Sequence, residues 1–158
     1  MKLVYRFETE GPPVRSMRVK IEINTREHFS VLGLVTRRFE VATRWFAGAA
    51  DVPTYPLDEL LGTKLRALYQ RRKGRDVFDL WDAHRRTTVD PEAVVRCFHE
   101  YLGHQRLAVS RAKFEANLDA KLADPVFTGD IGPLLAAGAK YDIQEAVRYV
   151  REHLLVLL

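Results

Sequence analysis

The sequence predicts an α+β protein, and three observations lead to this prediction. Apolar and polar residues alternate strictly over residues 17–24, which indicates a strand, and residues 2–8 offer it a partner. After Pro56 the apolar residues recur at helical spacing. The length of 158 residues, 47% of them apolar, is sufficient for one ordinary domain with a core. We therefore expect a β region over residues 1–55 and a helical region over residues 56–158.

The β region should begin with a hairpin. In MRVKIEIN (17–24) the apolar side chains point to one side and the charged ones to the other, as in a half-buried strand with a charged open face. The sequence KLVYRFE (2–8) alternates in the same way, and the intervening EGPPVRS has turn chemistry. Residues 39–46, FEVATRWF, form a weaker third candidate strand.

The first two predicted helices flank Gly74. The first begins at Leu57, after Pro56 and with two acids in its first turn, and the second spans about residues 75–86. On the second helix, one face carries the side chains Val77, Leu80, Trp81 and His84, and the roughly opposite face carries Asp76, Asp79 and Asp82.

Three further helices are indicated by their N-terminal signals. Asp90 followed by Pro91 begins one of them, and Ser110 caps the next, with Val109 and Phe114 placed as a hydrophobic staple. The sequence DIQE (142–145) has the pattern of a capping box ahead of a long amphipathic helix that runs to the C-terminus.

Composition excludes several classes of protein. No apolar run is long enough to cross a membrane, the N-terminus has no secretory signal, and Cys97 is the only cysteine, so we expect a cytoplasmic protein without disulfides. The sequence contains no GxxxxGK[ST], GxGxxG or HExxH motif, and its histidines and cysteine have no metal-ligand spacing.

The charges of residues 64–84 are segregated. Six cations and no acid occupy residues 64–75, and three aspartates follow within residues 76–82. Lys64 could meet a triphosphate as a point charge, with the following arginines gripping phosphates bidentately, although a solvated helix face is the simpler interpretation. Asp76 could bind a metal, act on a substrate hydroxyl, or anchor Arg75 or Lys64.

Other acids in these segments also have two interpretations. Glu22 could hold Mg²⁺ from its strand, or simply lie on a solvated face. For Asp79 and Asp82, surface ion pairs within one helix are the default expectation.

Two segments resemble the AbiEii family of nucleotidyltransferase toxins from type IV toxin–antitoxin and abortive-infection systems. They are KIEINTRE (20–27) and TYPLDELLGTKLRALYQRRKGRDVFDLW (54–81). The resemblance implies part of a polymerase β-like nucleotidyltransferase sheet followed by a C-terminal helical bundle. It also implies Mg²⁺-dependent transfer of a nucleotide from an NTP to an RNA, which for related toxins is the 3′ end of tRNA, and a cognate antitoxin as partner.

The resemblance also assigns site residues. It implies that Glu22 is a metal-site carboxylate, with Lys20 beside it as an accessory residue. Lys64 is expected on the nucleotide phosphates, helped by the cations Arg71 and Arg75. Asp76 matches the acid of the last motif, and Asp79 is accessory or structural.

One departure from the family is marked. The Gly-Gly-Ser/Thr stretch and DxD pair that precede the KIEI strand in the family are absent, since no aspartate occurs before Lys20. Two-metal phosphoryl transfer needs several carboxylates, so we expect this chain to be a fragment, the product of a shortened reading frame or one half of a split enzyme, and to be inactive alone. An exposed sheet edge would then favour a homodimer. The alternative is a non-catalytic homologue that binds nucleic acid or a partner.

Overall fold

The chain forms two β-hairpins followed by a helical body, as seen in a computed structural model that describes residues 1–23 and 27–158. This arrangement confirms the α+β prediction. The strands are β1 (Lys2–Glu8), β2 (Ser16–Glu22), β3 (Val35–Ala42) and β4 (Ala47–Thr54). The helices are α1 (Leu57–Gln70), α2 (Arg75–Arg86), α3 (Pro91–His104), α4 (Arg111–Leu122), α5 (Pro125–Gly129) and α6 (Ile143–Tyr149).

The first hairpin has the predicted partners but not the predicted burial. β1 and β2 are antiparallel, and the register places apolar residues opposite one another: Leu3 with Ile21, Tyr5 with Val19, and Phe7 with Met17. The expectation of a half-buried strand is wrong, because these six side chains are 37–57% exposed. No helix covers this face in the part of the chain that the structure describes. The predicted end of the strand, Asn24, lies outside the described residues.

The second hairpin corrects the third predicted strand. β3 ends at Ala42, and the backbone turns because the Thr43 hydroxyl accepts hydrogen bonds from the amides of Trp45 and Phe46. β4 was missed, since its sequence AGAADVPT is rich in small residues and has no clear alternation. β3 and β4 pair only with each other, so the described strands form two two-stranded sheets.

The helical body contains the hydrophobic core. α1 packs closely on α3 at Gly62, where an added Cβ would lie 2.6 Å from the Cβ of Cys97. Cys97 is fully buried, as expected for a core cysteine, and burial raises the pKa of its thiol to about 11. α2 has the predicted bounds, and of the four residues predicted to share one face, Val77, Leu80 and Trp81 are buried whereas His84 is exposed.

The capping side chains at the three predicted helix N-termini are confirmed. The side chains of Asp90, Ser110 and Asp142 each accept a backbone N–H at the start of their helix. The capping box at residues 142–145 is wrong in one part, because the Glu145 carboxylate accepts from the indole N–H of Trp81.

The C-terminal segment is helical, but α6 is shorter than predicted. After Tyr149 the chain continues as a π-helical turn (Val150–Leu154) and a 3₁₀ turn (Leu155–Leu157). A short 3₁₀ turn (Gly132–Leu134) and α5 were not predicted. None of the helices in the described ranges combines the length and the apolar content that a membrane span requires.

Candidate nucleotide-phosphate site

The corner between α1 and α2 brings four of the predicted site residues together: Lys64, Arg71, Asp76 and Asp79. Gly74 lies at this corner, where a Cβ would be only 2.1 Å from the carbonyl oxygen of Phe127 in α5. Glycine therefore allows α5 to pack directly against the corner. The close contact fixes the backbone between Arg71, the residue that follows the end of α1, and Asp76, in the first turn of α2.

Asp76 is the centre of the site. Its side chain is fully buried, and its two oxygens accept hydrogen bonds from Nε and Nη2 of Arg71 at 2.7 and 2.6 Å. This bidentate geometry is the strong form of an arginine–carboxylate pair. The hydrogen bond to Asp76 raises the pKa of Arg71 above its usual value, so this guanidinium stays charged.

Lys64 joins the same group of charges from α1. Its Nζ lies 3.8 Å from Oδ1 of Asp76 and 2.6 Å from Oδ2 of Asp79. We call Lys64, Arg71, Asp76 and Asp79 the corner cluster. The default expectation for Asp79 is wrong, since its partner is on another helix, but Asp82 does pair with Arg86 one turn later at 2.7 Å.

Each of the six cations in residues 64–75 contacts a carboxylate. The pairs are Lys64 with Asp79, Arg66 with Glu27, Arg71 with Asp76, Arg72 with Asp124, and both Lys73 and Arg75 with Asp130. The cations that cluster in the sequence are therefore neutralised in the folded structure by carboxylates from other parts of the chain. The suggestion that Asp76 anchors Arg75 is wrong, because the side chain of Arg75 pairs with Asp130 instead. Phosphate binding by Arg75 stays a prediction.

Glu22 and Lys20 lie outside the corner cluster. They are exposed neighbours on β2, with Nζ of Lys20 at 2.6 Å from Oε1 of Glu22. The hydrogen bond from Lys20 lowers the pKa of Glu22. None of the contacts among the described residues joins Glu22 to Lys64 or Asp76, so the structure does not bring the three predicted catalytic residues together.

The corner cluster does not fit a magnesium ion in this arrangement. No three Asp, Glu, His or Cys side chains within residues 1–23 and 27–158 are placed to hold a metal ion together. The carboxylates of Asp76 and Asp79 face Arg71 and Lys64, and a single glutamate on β2 is a poor ligand set for an ion that prefers several oxygens. We assign no magnesium site to these side chains.

Glu59 is a structural residue whose role the sequence did not reveal. This buried carboxylate of α1 accepts four hydrogen bonds, each of 2.8 Å, from the hydroxyls of Ser30 and Tyr101 and the amides of Val31 and Leu32. Burial alone would raise the pKa of Glu59, but these hydrogen bonds together lower it. Glu59 thus fastens the segment between the two hairpins to the helical body. Its position in the first turn of α1 gave no sign of burial, because acids there are expected to interact with the helix dipole.

Lys121 is a second residue that the sequence did not single out. It lies on α4 and is 3% exposed, and its Nζ donates to the backbone carbonyls of Leu68 and Tyr69 at the end of α1. Burial lowers the pKa of Lys121 to about 8, and the charge of Arg72 acts in the same direction. A lysine in an amphipathic helix is expected at the surface, so its spacing gave no signal.

Comparison with known protein families agrees with the two sequence segments. Residues 1–149 match the model of the family described as nucleotidyl transferase AbiEii toxin, type IV TA system. The chain therefore belongs to the AbiEii nucleotidyltransferase toxin family, as the resemblance predicted. Membership of a type IV toxin–antitoxin family suggests an antitoxin as partner. No curated protein and no solved structure matches the chain.

Proposed function

We propose that this chain binds the phosphates of an NTP at the corner cluster and takes part in transferring a nucleotide to the 3′ end of tRNA. The observation that carries the proposal is the convergence of Lys64 and Arg71 on buried Asp76. The proposed fold context is a polymerase β-like nucleotidyltransferase. The proposed setting is the cytoplasm, where blocking tRNA would stop translation as a phage defence.

Lys64 and Arg71 are placed to bind the same phosphate group. Lys64 is 37% and Arg71 49% exposed at the side chain, so both are within reach of a ligand although both contact Asp76. Arg71 uses Nε and Nη2 for Asp76, which leaves Nη1 for a phosphate oxygen. Asp76 therefore holds the cations in place, and a phosphate would bind on their outer side.

The reaction that this arrangement would assist is a displacement at phosphorus. The 3′ hydroxyl of the RNA loses its proton to water as its oxygen attacks the α-phosphorus. A new P–O bond forms, and the bond from the α-phosphorus to the oxygen of the β-phosphate breaks to release pyrophosphate. Lys64 and Arg71 would neutralise the negative charge that the leaving pyrophosphate gains. Mg²⁺ accompanies the NTP in this proposal, without an assigned set of side chains.

Label transfer tests the proposed activity. The four NTPs, labelled with ³²P at the α-phosphate, are incubated with Mg²⁺, total tRNA and either wild type, Lys64→Ala or Lys113→Ala. Lys113 is an exposed residue of α4 and serves as the control. Because the chain is predicted to be inactive alone, a GGS…DxD segment taken from the family is added, and with it we expect label on tRNA that depends on Lys64 and not on Lys113. Transfer that Lys64→Ala leaves unchanged would refute the role of the corner cluster.

The predicted inactivity of the chain alone can be tested in the same assay. One set of reactions contains the chain by itself, and a second adds a GGS…DxD segment taken from the family. Label in the second set only would support the split or incomplete enzyme that the sequence predicts. Label in the first set would show that this prediction is wrong. Absence of label in both would contradict the proposed transfer.

The second candidate function is a binding module without catalysis. The separation of Glu22 from the corner cluster favours it, because the predicted metal-site carboxylate then lies apart from the phosphate cations, and Asp76 and Asp79 are already paired with those cations. Such a module would bind tRNA or another RNA through phosphate contacts, so its affinity should fall steeply with salt concentration. Binding of equal strength at low and high salt would exclude this candidate.

A homodimer is also part of the proposal. The uncovered apolar face of β1 and β2 supports it, because an isolated two-stranded hairpin is only marginally stable in water. The outer strand edges could pair with those of a second copy. Sedimentation of the wild type beside Val19→Lys would test this, and a monomer at all concentrations would refute it.

A further inference from the structure

The carbonyl groups at the end of α1 are contacted by a lysine from α4, Lys121. The final carbonyls of a helix have no partner within it, and α1 has no basic residue in its last turn. The amide of Arg71 reaches the carbonyl of Ala67, while the carbonyls of Leu68 and Tyr69 accept from Nζ of Lys121, at 2.8 Å for Tyr69. An ammonium at a helix C-terminus also interacts favourably with the helix dipole.

The surroundings of Lys121 contain no carboxylate that pairs with it among the described residues. The charges that act on it are Arg72, which disfavours the ammonium, and Asp76, which favours it. α5 and the C-terminal 3₁₀ turn also pack on α4, and neither carries a titratable side chain. Burial of an ammonium is costly unless its N–H groups are satisfied, so the two carbonyls are the contacts that hold it here.

The chain leaves α1 immediately after these carbonyls. Arg71, two residues beyond Tyr69, has extended backbone angles (φ −130°, ψ 165°) and sends its guanidinium to Asp76. A shift in the last turn of α1 would therefore move the guanidinium directly. We propose that Lys121 is a positioning residue that fixes the end of α1 so that Arg71 forms its bidentate pair with Asp76. The inference rests on the proposed function for its ligand, since the positioned group would bind phosphate.

The direct test observes the guanidinium of Arg71. In a ¹H–¹⁵N spectrum, an arginine Nε–H bonded to a buried carboxylate should give a distinct signal that is protected from exchange. The signal is assigned by its loss in Arg71→Lys, and Asp76→Asn shows what the spectrum looks like without the pair. We expect Lys121→Met to lose the paired signal and the control Lys113→Met to keep it. A paired signal that is unchanged in Lys121→Met would overturn the inference.

A second variant covers the case in which Lys121→Met does not fold. Lys121→Arg keeps the positive charge and N–H donors for the two carbonyls, so a folded Lys121→Arg should keep the signal of the Arg71 pair. A folded Lys121→Arg without that signal would overturn the inference. Circular dichroism establishes which variants are folded.

A second experiment measures the binding of inorganic triphosphate, the part that all four NTPs share. We expect Lys121→Met to weaken its binding about tenfold, and Lys113→Met to leave it unchanged. Unchanged binding in a folded Lys121→Met would overturn the positioning role. If the wild type does not bind triphosphate, the proposed function fails, while the spectrum of Arg71 still decides whether Lys121 positions it.

Discussion

Arg71 grips buried Asp76 with two parallel hydrogen bonds of 2.7 and 2.6 Å across the corner between α1 and α2. Lys64 approaches the same carboxylate from α1, with 3.8 Å between Nζ and Oδ1. A buried carboxylate with two cations is the feature on which both the stability of the corner and its proposed chemistry depend.

Removing the charge of Asp76 should destabilise the protein strongly. Asp76→Asn leaves Arg71 without its bidentate partner at a buried position, and breaking a buried ion pair typically costs about 3–5 kcal/mol. Because the Arg71 side chain is about half exposed, we expect the lower end of that range. Urea unfolding measures the change, with Asp82→Asn as the control, since an exposed pair such as Asp82–Arg86 contributes less than about 1 kcal/mol. Equal losses in both variants would contradict this interpretation.

Glu59 should be needed to attach the segment between the hairpins. Both carboxylate oxygens of Glu59 accept hydrogen bonds, four in all, whereas glutamine has only one accepting oxygen. We therefore expect Glu59→Gln to lower the free energy of unfolding by about 2–3 kcal/mol. Glu100→Gln, at an exposed position of α3, is the matched control. Faster amide hydrogen exchange at Val31 and Leu32 in Glu59→Gln alone would locate the effect. Unchanged exchange there would refute it.

The same residue predicts a response to acid. The pKa of Glu59 is lower in the folded state than its usual value of 4.5, so its contribution to stability is complete above that value. The contribution is lost as the pH falls through the folded-state pKa. The difference in unfolding free energy between wild type and Glu59→Gln should therefore shrink below about pH 4.5. A difference that is constant from pH 7 to pH 3 would be inconsistent with the lowered pKa.

The lowered pKa of Lys121 predicts that stability rises with pH in alkali. Its pKa is about 8 in the folded state against 10.5 for an unperturbed lysine, so between these values the unfolded chain binds the proton more tightly. Stability rises with pH wherever the unfolded state holds more protons. The unfolding free energy of wild type relative to Lys121→Met should thus increase from pH 8 to pH 10.5. The comparison cancels the effect of Cys97, whose raised pKa acts in the other direction.

Gly74 should not tolerate a side chain. Gly74→Ala places a Cβ 2.1 Å from the carbonyl oxygen of Phe127, and such overpacking costs about 1–3 kcal/mol. Gly129→Ala is the control, because nothing lies within 4 Å of an added Cβ there. The thermal midpoint of Gly74→Ala should fall clearly below that of Gly129→Ala. Similar midpoints would mean that α5 moves away from the corner at little cost.

The sequence predicted the helical body better than the β region. Helical spacing and capping residues such as Asp90 and Ser110 are local signals, and α1 and α2 begin where those signals indicate. The burial of β2 was predicted wrongly, since alternation shows which side chains share a face but not whether another element covers that face.

The site was also predicted only in part, because sequence patterns show local neighbours but not contacts with distant elements. Lys64, Arg71, Asp76 and Asp79 lie within sixteen residues of one another, and the helix–corner–helix path brings them together. The acids that pair with the remaining cations come from distant positions such as Asp124 and Asp130. The roles of Glu59 and Lys121 depend on backbone groups of other elements, which no pattern of residue types records.

The affinity of the chain for inorganic triphosphate tests the proposed role of the corner cluster most directly. Calorimetry would compare wild type with Lys64→Ala, and with Lys113→Ala as the control on α4. We predict that the wild type binds and that Lys64→Ala binds about 10- to 100-fold more weakly, since one charge-assisted hydrogen bond contributes about 1.5–3 kcal/mol. Equal affinity in wild type and Lys64→Ala, or no binding by a folded wild type, would contradict a phosphate site at this corner.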